Sequence, residues 1–312
     1  MPRRYIFSLF ACAIVLSSAR LYADTQVKGQ TFDSNGVKIY YTVEGKGEPV
    51  LLIHGFGANT DVNWRAPGVI KALSDKYQVI AIDNRGHGKS EKPHDEAKYG
   101  EEMAEDAIRL LDHLGIKKAH IVGYSMGGMI TAKLLTTHPD RFLTATLGGH
   151  GGYKQGDDMS KLGKLIESLE AGKGITPLLE ALNPPGKPID PAQIEQINKM
   201  FSTFNDQKAL AAVVKGFRGL QVSDDKLKAN KVPTLALIGE FDPLKKGVDA
   251  LEGRLSNVRI VVIQDANHMD AMRKEQFVKE LKDFLAAHSA ASTATGKVPF
   301  KKNIPAVPGR RD

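Results

Sequence analysis

Two hydrophobic rhythms alternate along most of this chain. Short runs are apolar at nearly every position: residues 49–54 (PVLLIH), 78–83 (QVIAID), 119–124 (AHIVGY), 143–147 (LTATL), 234–239 (TLALIG) and 258–263 (VRIVVI). A short segment apolar throughout suits a parallel strand covered on both faces. Ahead of them, residues 37–43 are rich in β-branched and aromatic side chains and follow the turn Ser34-Asn35-Gly36. With residues 26–32 they predict an antiparallel start. Between the runs the period lengthens. In EEMAEDAIRLLDHLG, Ala104, Ala107, Ile108, Leu111 and Leu114 share one helical face, Glu101 and Glu102 suit the positive end of the dipole, and Gly115 ends the helix. A helix from residue 126 stops at Pro139, and Phe277, Val278, Leu281, Phe284 and Leu285 mark another. The alternation predicts an α/β fold: an eight-stranded, mostly parallel sheet with helices on both faces.

Residues 151–220 break the alternation. They offer no good strand and predict helices around 158–170, 191–204 and 206–220, with the loop NPPGKP at 183–188. Inserted between one strand and the next, they predict a helical cap over the sheet. Phe201, Phe204 and Phe217 lie in it and are candidates for the wall of an apolar pocket, with packing inside the cap as the alternative.

Charge changes the picture less than its total suggests. The formal net charge is +7 over 312 residues. Residues 1–23 hold three of these charges and residues 289–312 a further four net, so the body between is near neutral. The basic total therefore gives no argument for a nucleic-acid partner. Residues 1–23 have a basic start (Arg3, Arg4), an apolar run from Tyr5 to about Leu16, then small residues. That order predicts a secretory signal peptide cleaved after Ala23, with Ala19 as the other candidate. The run is short of the roughly 20 residues of a membrane span, so no stable span is expected after cleavage. The expectation is a periplasmic or extracellular protein with a folded domain over 24–288 and a disordered basic tail over 289–312. Cys12, the only cysteine, would leave with the leader, which excludes a cysteine nucleophile or cysteine-ligated metal in the mature chain.

The candidate chemistry starts at GYSMG. Gly123 and Gly127 bracket Ser125, after a predicted strand and before a predicted helix. In that context G-x-S-x-G is a nucleophile elbow: a bend too tight for side chains at the flanking positions, which lifts the serine hydroxyl over the sheet edge. Together with HGFG (54–57), DNRGHGKS (83–90), GEFDP (239–243) and ANHM (266–269), the motif makes residues 26–288 resemble the α/β-hydrolase superfamily. The resemblance is specific for the fold and much less so for substrate.

A serine nucleophile needs a base. Of nine histidines, His113, His120, His138 and His288 fall on predicted helices or strands, and His87 and His94 in a polar loop. His150, in GGHGG, is a lesser candidate to face the site. His268 follows the last predicted strand, where its imidazole can reach Ser125, and the resemblance places the base there too. Asp242, just past residues 234–239, is the favoured acid. Asp265 and Asp270 are its rivals, and Asp83 is expected to pair locally with Arg85. The order Ser125, Asp242, His268 is the one this fold requires. The expected oxyanion donors are the backbone N–H groups of Met126 and of Phe56, the latter in the loop of His54, Gly55 and Gly57.

A serine at the elbow disfavours the dehalogenase and epoxide-hydrolase branches, which use a carboxylate nucleophile. No H-E-x-x-H, Cys/His cluster or P-loop spacing occurs, so neither metal nor cofactor is expected. The resemblance implies a serine hydrolase acting on a small ester-like substrate. Lactonase, C–C bond hydrolase and cofactor-free perhydrolase run on the same triad, and a non-catalytic binding module would be expected to lack one of its members.

Overall fold

The computed structural model describes residues 29–289, apart from 185 and 187. The predicted leader (1–23), the first residues of the predicted opening strand and residues 290–312 of the predicted tail lie outside the described residues.

Eight strands form one sheet: β1 (Gln30–Asp33), β2 (Lys38–Glu44), β3 (Glu48–Ile53), β4 (Tyr77–Ile82), β5 (Ala119–Tyr124), β6 (Phe142–Gly148), β7 (Thr234–Gly239) and β8 (Val258–Ile263). Their spatial order is β1-β2-β4-β3-β5-β6-β7-β8. β2 runs antiparallel to both β1 and β4, and every other pairing is parallel. From β3 the chain moves outward to β4, then returns to lay β5 on the other flank of β3. Strand order reverses there, and a reversal opens a crevice at the carboxyl ends of the strands. Ile53 pairs with Gly123 across it, so HGFG and GYSMG leave from neighbouring strand ends.

The continuous apolar runs have the expected cause. Along β3, Val50 and Leu52 pack into the layer of Val69, Ile70, Phe277 and Leu281, while Leu51 and Ile53 pack into the layer of Met103, Leu110, Ile130 and Leu134. Successive side chains enter opposite faces, both covered, so none can be polar. The first layer comes from α1 (Val69–Ser74), after β3, and from the closing helix. The second comes from α2 (Glu101–His113) and α3 (Met126–Thr137), which flank β5 in sequence.

The cap occupies the interval between β6 and β7. It holds α4 (Gly163–Glu170), α5 (Thr176–Leu182), α6 (Pro191–Phe204) and α7 (Gln207–Gly216). Lys154 and Val222 pair in an isolated parallel bridge where the insertion leaves and returns. Asp190 caps α6 by accepting the Ala192 N–H, with Pro191 in the first turn, and Asp206 caps α7 by accepting the Ala209 N–H. α8 (Asp224–Ala229) precedes β7, α9 (Lys245–Asp249) joins β7 to β8, and α10 (Glu275–Ala287) closes the fold.

The structure revises the predicted helices in two ways. The helices expected over 158–170 and 206–220 each include a 3-10 turn, at Ser160–Leu162 and Phe217–Leu220. Helices α1, α5, α8 and α9 add to those the sequence predicts; at five to seven residues they are too short to display a helical period.

Candidate active site

Ser125 joins β5 to α3 with φ 54° and ψ −113°. A non-glycine residue held there costs on the order of 1–3 kcal/mol, which the surrounding packing must offset. The two glycines permit the bend for different reasons. A Cβ on Gly123 would collide with the Gly127 carbonyl, which is contact within the elbow. A Cβ on Gly127 would collide with the Ile53 carbonyl, so the second glycine answers to the neighbouring strand β3. The Ser125 N–H donates to the Gly148 carbonyl at 2.7 Å, tying the bend to β6.

His268 stands in the loop after β8, and its Nε2 lies 2.9 Å from Ser125 Oγ. Its Nδ1 lies 2.8 Å from Asp242 Oδ2. With Nδ1–H donated to the carboxylate, Nε2 carries a lone pair and accepts from the serine hydroxyl. Asp242 and His268 are both buried. The other carboxylate oxygen of Asp242 accepts the Leu244 N–H at 2.9 Å, so the residue also organises the turn after β7. Of its rivals, Asp270 accepts the Asn267 N–H with its carboxylate, and Asp265 gives its backbone N–H to Glu240. One contributor had no sequence signal. The hydroxyl of Tyr124 donates to the His268 carbonyl at 2.7 Å, linking the residue before Ser125 to the backbone of His268. Burial pushes the Tyr124 phenol well above its ordinary pKa, so it remains a donor.

The second strand end supplies the loop expected to hold the oxyanion. His54 is fully buried; its Nδ1 lies 2.7 Å from the Gly55 carbonyl, and its Nε2 accepts the Asn84 N–H at 2.9 Å. Burial lowers its pKa to about 4, with the bond to Gly55 opposing, so the ring is neutral and Nδ1–H is the donor. The Gly55 carbonyl and the Phe56 N–H belong to one planar peptide, so this bond also aims the Phe56 N–H. Gly57 (φ +66°) turns the loop beneath Phe201 of α6. Met126 is the first residue of α3, and N–H groups in a first helical turn have no intrahelical partner. The bend thus faces Ser125 toward a helix N-terminus, which favours negative charge.

Several predicted positions resolve differently. Asp83 does not pair with Arg85. Its carboxylate accepts the N–H groups of Thr60 and Lys89, while Arg85 reaches away to Asp106 of α2 at 2.6 and 2.7 Å. His87 lies in the polar loop after β4 as expected, but is wholly buried there and packs edge-on to the rings of His54 and Phe56. His94 is the exposed member, bonded to Asp206. His150 accepts the Gly152 N–H and lies against Tyr153, outside the cavity wall. Of the three cap phenylalanines, Phe201 lines the cavity, Phe217 packs on Phe56, and Phe204 is 73% exposed.

Ser125 and His268 open onto a cavity of about 220 Å³. The cap contributes Ile175, Leu178, Leu179, Leu182 and Phe201, and Arg273 is a cationic side chain on the wall. The α5 contribution leaves no sequence signal, because a helix of seven residues shows no period. No helix among the described residues is long and apolar enough to cross a membrane.

Comparison with known proteins agrees with this architecture. The family model for the alpha/beta hydrolase fold matches residues 48–165. The chain is 32% identical over 217 residues to a 2-hydroxy-6-oxo-6-(2'-aminophenyl)hexa-2,4-dienoic acid hydrolase of Metapseudomonas resinovorans, covering 67% of this chain and 73% of that one. It is 30% identical over 257 residues to the dihydrolipoyllysine-residue acetyltransferase component of the acetoin cleaving system of Cupriavidus necator, covering 80% of this chain and 67% of that one. Among solved structures, an esterase from Exiguobacterium antarcticum superimposes with a TM-score of 0.70 at 22% identity, over 83% of this chain and 100% of the other. The chain belongs to the alpha/beta hydrolase family.

Proposed function

We propose that this hydrolase cleaves short-chain carboxylic esters through an acyl-enzyme on Ser125. The observation that carries the reading is the relay from Asp242 through His268 to Ser125 Oγ at the mouth of a small apolar cavity. Oγ adds to the acyl carbon as Nε2 takes its proton. The carbonyl oxygen becomes an oxyanion between the N–H groups of Phe56 and Met126, where one such donor contributes about 2.7–4 kcal/mol. Nε2 then gives its proton to the alkoxy oxygen as the C–O bond breaks. Water reverses the sequence: it loses a proton to Nε2, adds to the acyl carbon, and releases Oγ, which regains that proton. Asp242 stabilises the imidazolium at both stages and keeps its own charge.

Cavity size supports the choice of acyl group. A drug-sized ligand site spans roughly 300–1,000 Å³, and this cavity is below that range. The small volume supports a preference for short acyl chains. Ser125→Ala, assayed on p-nitrophenyl esters of two to twelve carbons, tests the reading. Turnover is expected to peak on short chains in the wild type and to fall on the order of 10⁶-fold in the variant. Unchanged turnover would remove Ser125 from the mechanism.

A second reading is hydrolysis of a C–C bond in an acid substrate. It is favoured by Arg273 on the cavity wall, which can receive a carboxylate, and by the relative whose name specifies a dienoic acid hydrolase. Export belongs to the same proposal and rests on residues 1–23; a mature N-terminus at Asp24 is the expected result of sequencing the secreted protein.

A further inference from the structure

One buried polar side chain beside the nucleophile has no part in the chemistry above. Asn63 is 6% exposed and lines the cavity, yet both ends of its amide are occupied by protein. Its Oδ1 accepts the Gly55 N–H at 2.6 Å, and its Nδ2 donates to the Met272 thioether sulfur at 2.8 Å. The two partners belong to different parts of the site. Gly55 immediately precedes Phe56, the proposed oxyanion donor. Met272 lies four residues beyond His268, in the turn that follows the base.

We infer that Asn63 is a positioning residue: its amide holds the oxyanion loop in register with the loop that carries His268. The inference rests on the serine-hydrolase reading and deepens it. β3 ends at Ile53, so the Gly55 N–H lies beyond the last rung of the sheet and needs another acceptor. Asn63 supplies it. On the other side of the Gly55 Cα, the His54 ring and the Ala58 N–H take the Gly55 carbonyl. Both peptides flanking a glycine are thereby fixed, and with them the direction of the Phe56 N–H. The second amide bond then refers that direction to the His268 loop. The two loops are far apart in the chain, and Asn63 and Met272 bring them to one carboxamide.

A buried carboxamide is costly unless its groups are matched, and an apolar side chain of similar size would fill the same space without that cost. The polar ends matter here because small displacements at a reacting centre are expensive: about 1 Å can cost roughly 10²-fold in rate.

Wild type, Asn63→Ala, Met272→Leu and Ser125→Ala are compared on a short ester and on the matching thionoester, whose sulfur fits an oxyanion site poorly. Asn63→Ala is expected to lower kcat about 10- to 100-fold with KM little changed, and to reduce the preference for oxygen over sulfur. Met272→Leu keeps the bulk and removes only the acceptor; its kcat is expected to fall less, about 3- to 10-fold, with the same loss of preference. A folded Asn63→Ala with kcat within about threefold of wild type, or with lowered kcat and an unchanged oxygen preference, overturns the inference. If Asn63→Ala does not fold, Met272→Leu decides by the same two criteria. Activity surviving in Ser125→Ala would instead remove the serine reading. Activity lost there and intact in Asn63→Ala removes this inference alone.

Discussion

Two buried aspartates do opposite things in this protein. Asp106 meets the Arg85 guanidinium on both oxygens, at 2.6 and 2.7 Å, and also accepts the Ser34 hydroxyl. Arg85 in turn donates to the carbonyls of Lys98 and Ser34, so the cluster fastens the β1–β2 turn and the segment after β4 to α2. Asp242 meets one imidazole N–H at 2.8 Å and one backbone N–H at 2.9 Å. In the first cluster a permanent cation matches the carboxylate and no proton has anywhere to go. In the second, under the proposed mechanism, the cation forms when His268 accepts a proton from Ser125, and the waiting carboxylate stabilises it then. Burial is the same in both. Whether the partner's charge is fixed or transient separates a clamp from a catalytic relay.

The largest expected effect comes from disabling the transient side. Asp242→Asn preserves shape but favours the wrong imidazole tautomer, so kcat on a short ester is expected to fall about 10⁴-fold while the unfolding midpoint barely moves. Breaking the fixed side should do the reverse. Arg85→Ala removes the guanidinium that meets both oxygens of Asp106, leaving the Ser34 hydroxyl and a more distant Arg109 at 3.6 Å, and is expected to cost about 3–5 kcal/mol in urea unfolding, with kcat per folded molecule unchanged. A loss of kcat in folded Arg85→Ala would mean that the clusters are not independent.

Acid stability sharpens the comparison at a third place, the neutral histidines under the oxyanion loop. Burial lowers His54 to about 4 and His87 to about 3, the latter helped by neighbouring His54. Both bind protons more weakly when folded than in the unfolded chain, where the ordinary value is about 6.5. Their contribution is therefore complete above that pH and is lost as pH falls toward the folded values. Between about pH 6 and 4 each adds a slope of at most about 1.4 kcal/mol per pH unit. Urea titrations across that range should show the slope, and His87→Phe should reduce it.

The smallest effect concerns the cap. Leu179→Ala enlarges the cavity from its cap side. It is expected to shift preference toward acyl chains one or two carbons longer, by about 1–3 kcal/mol in relative kcat/KM. A chain-length series measures this directly.

The sheet and the Ser125–His268–Asp242 relay were legible because each leaves a local trace. Strands covered on both faces must be apolar throughout, and a sharp elbow demands its glycines. What escaped depends on partners distant in sequence. Tyr124 and Asn63 act through hydrogen bonds to His268 and Met272, which no local pattern encodes. Asp83 and Arg85 are two residues apart and invite pairing, yet the turn after β4 sends their side chains to different segments. His87 sits among polar and glycine residues, but Phe56 and His54 cover it. Helix α5 lines the cavity and is too short to have a period.

The central claim is that Ser125 alone, among the serines, is activated by this relay. Intact-mass and peptide analysis after brief treatment with a fluorophosphonate tests it most directly. The account predicts one adduct per molecule, located on Ser125 and abolished in His268→Ala. No adduct, an adduct on another residue, or undiminished labelling in His268→Ala would contradict it.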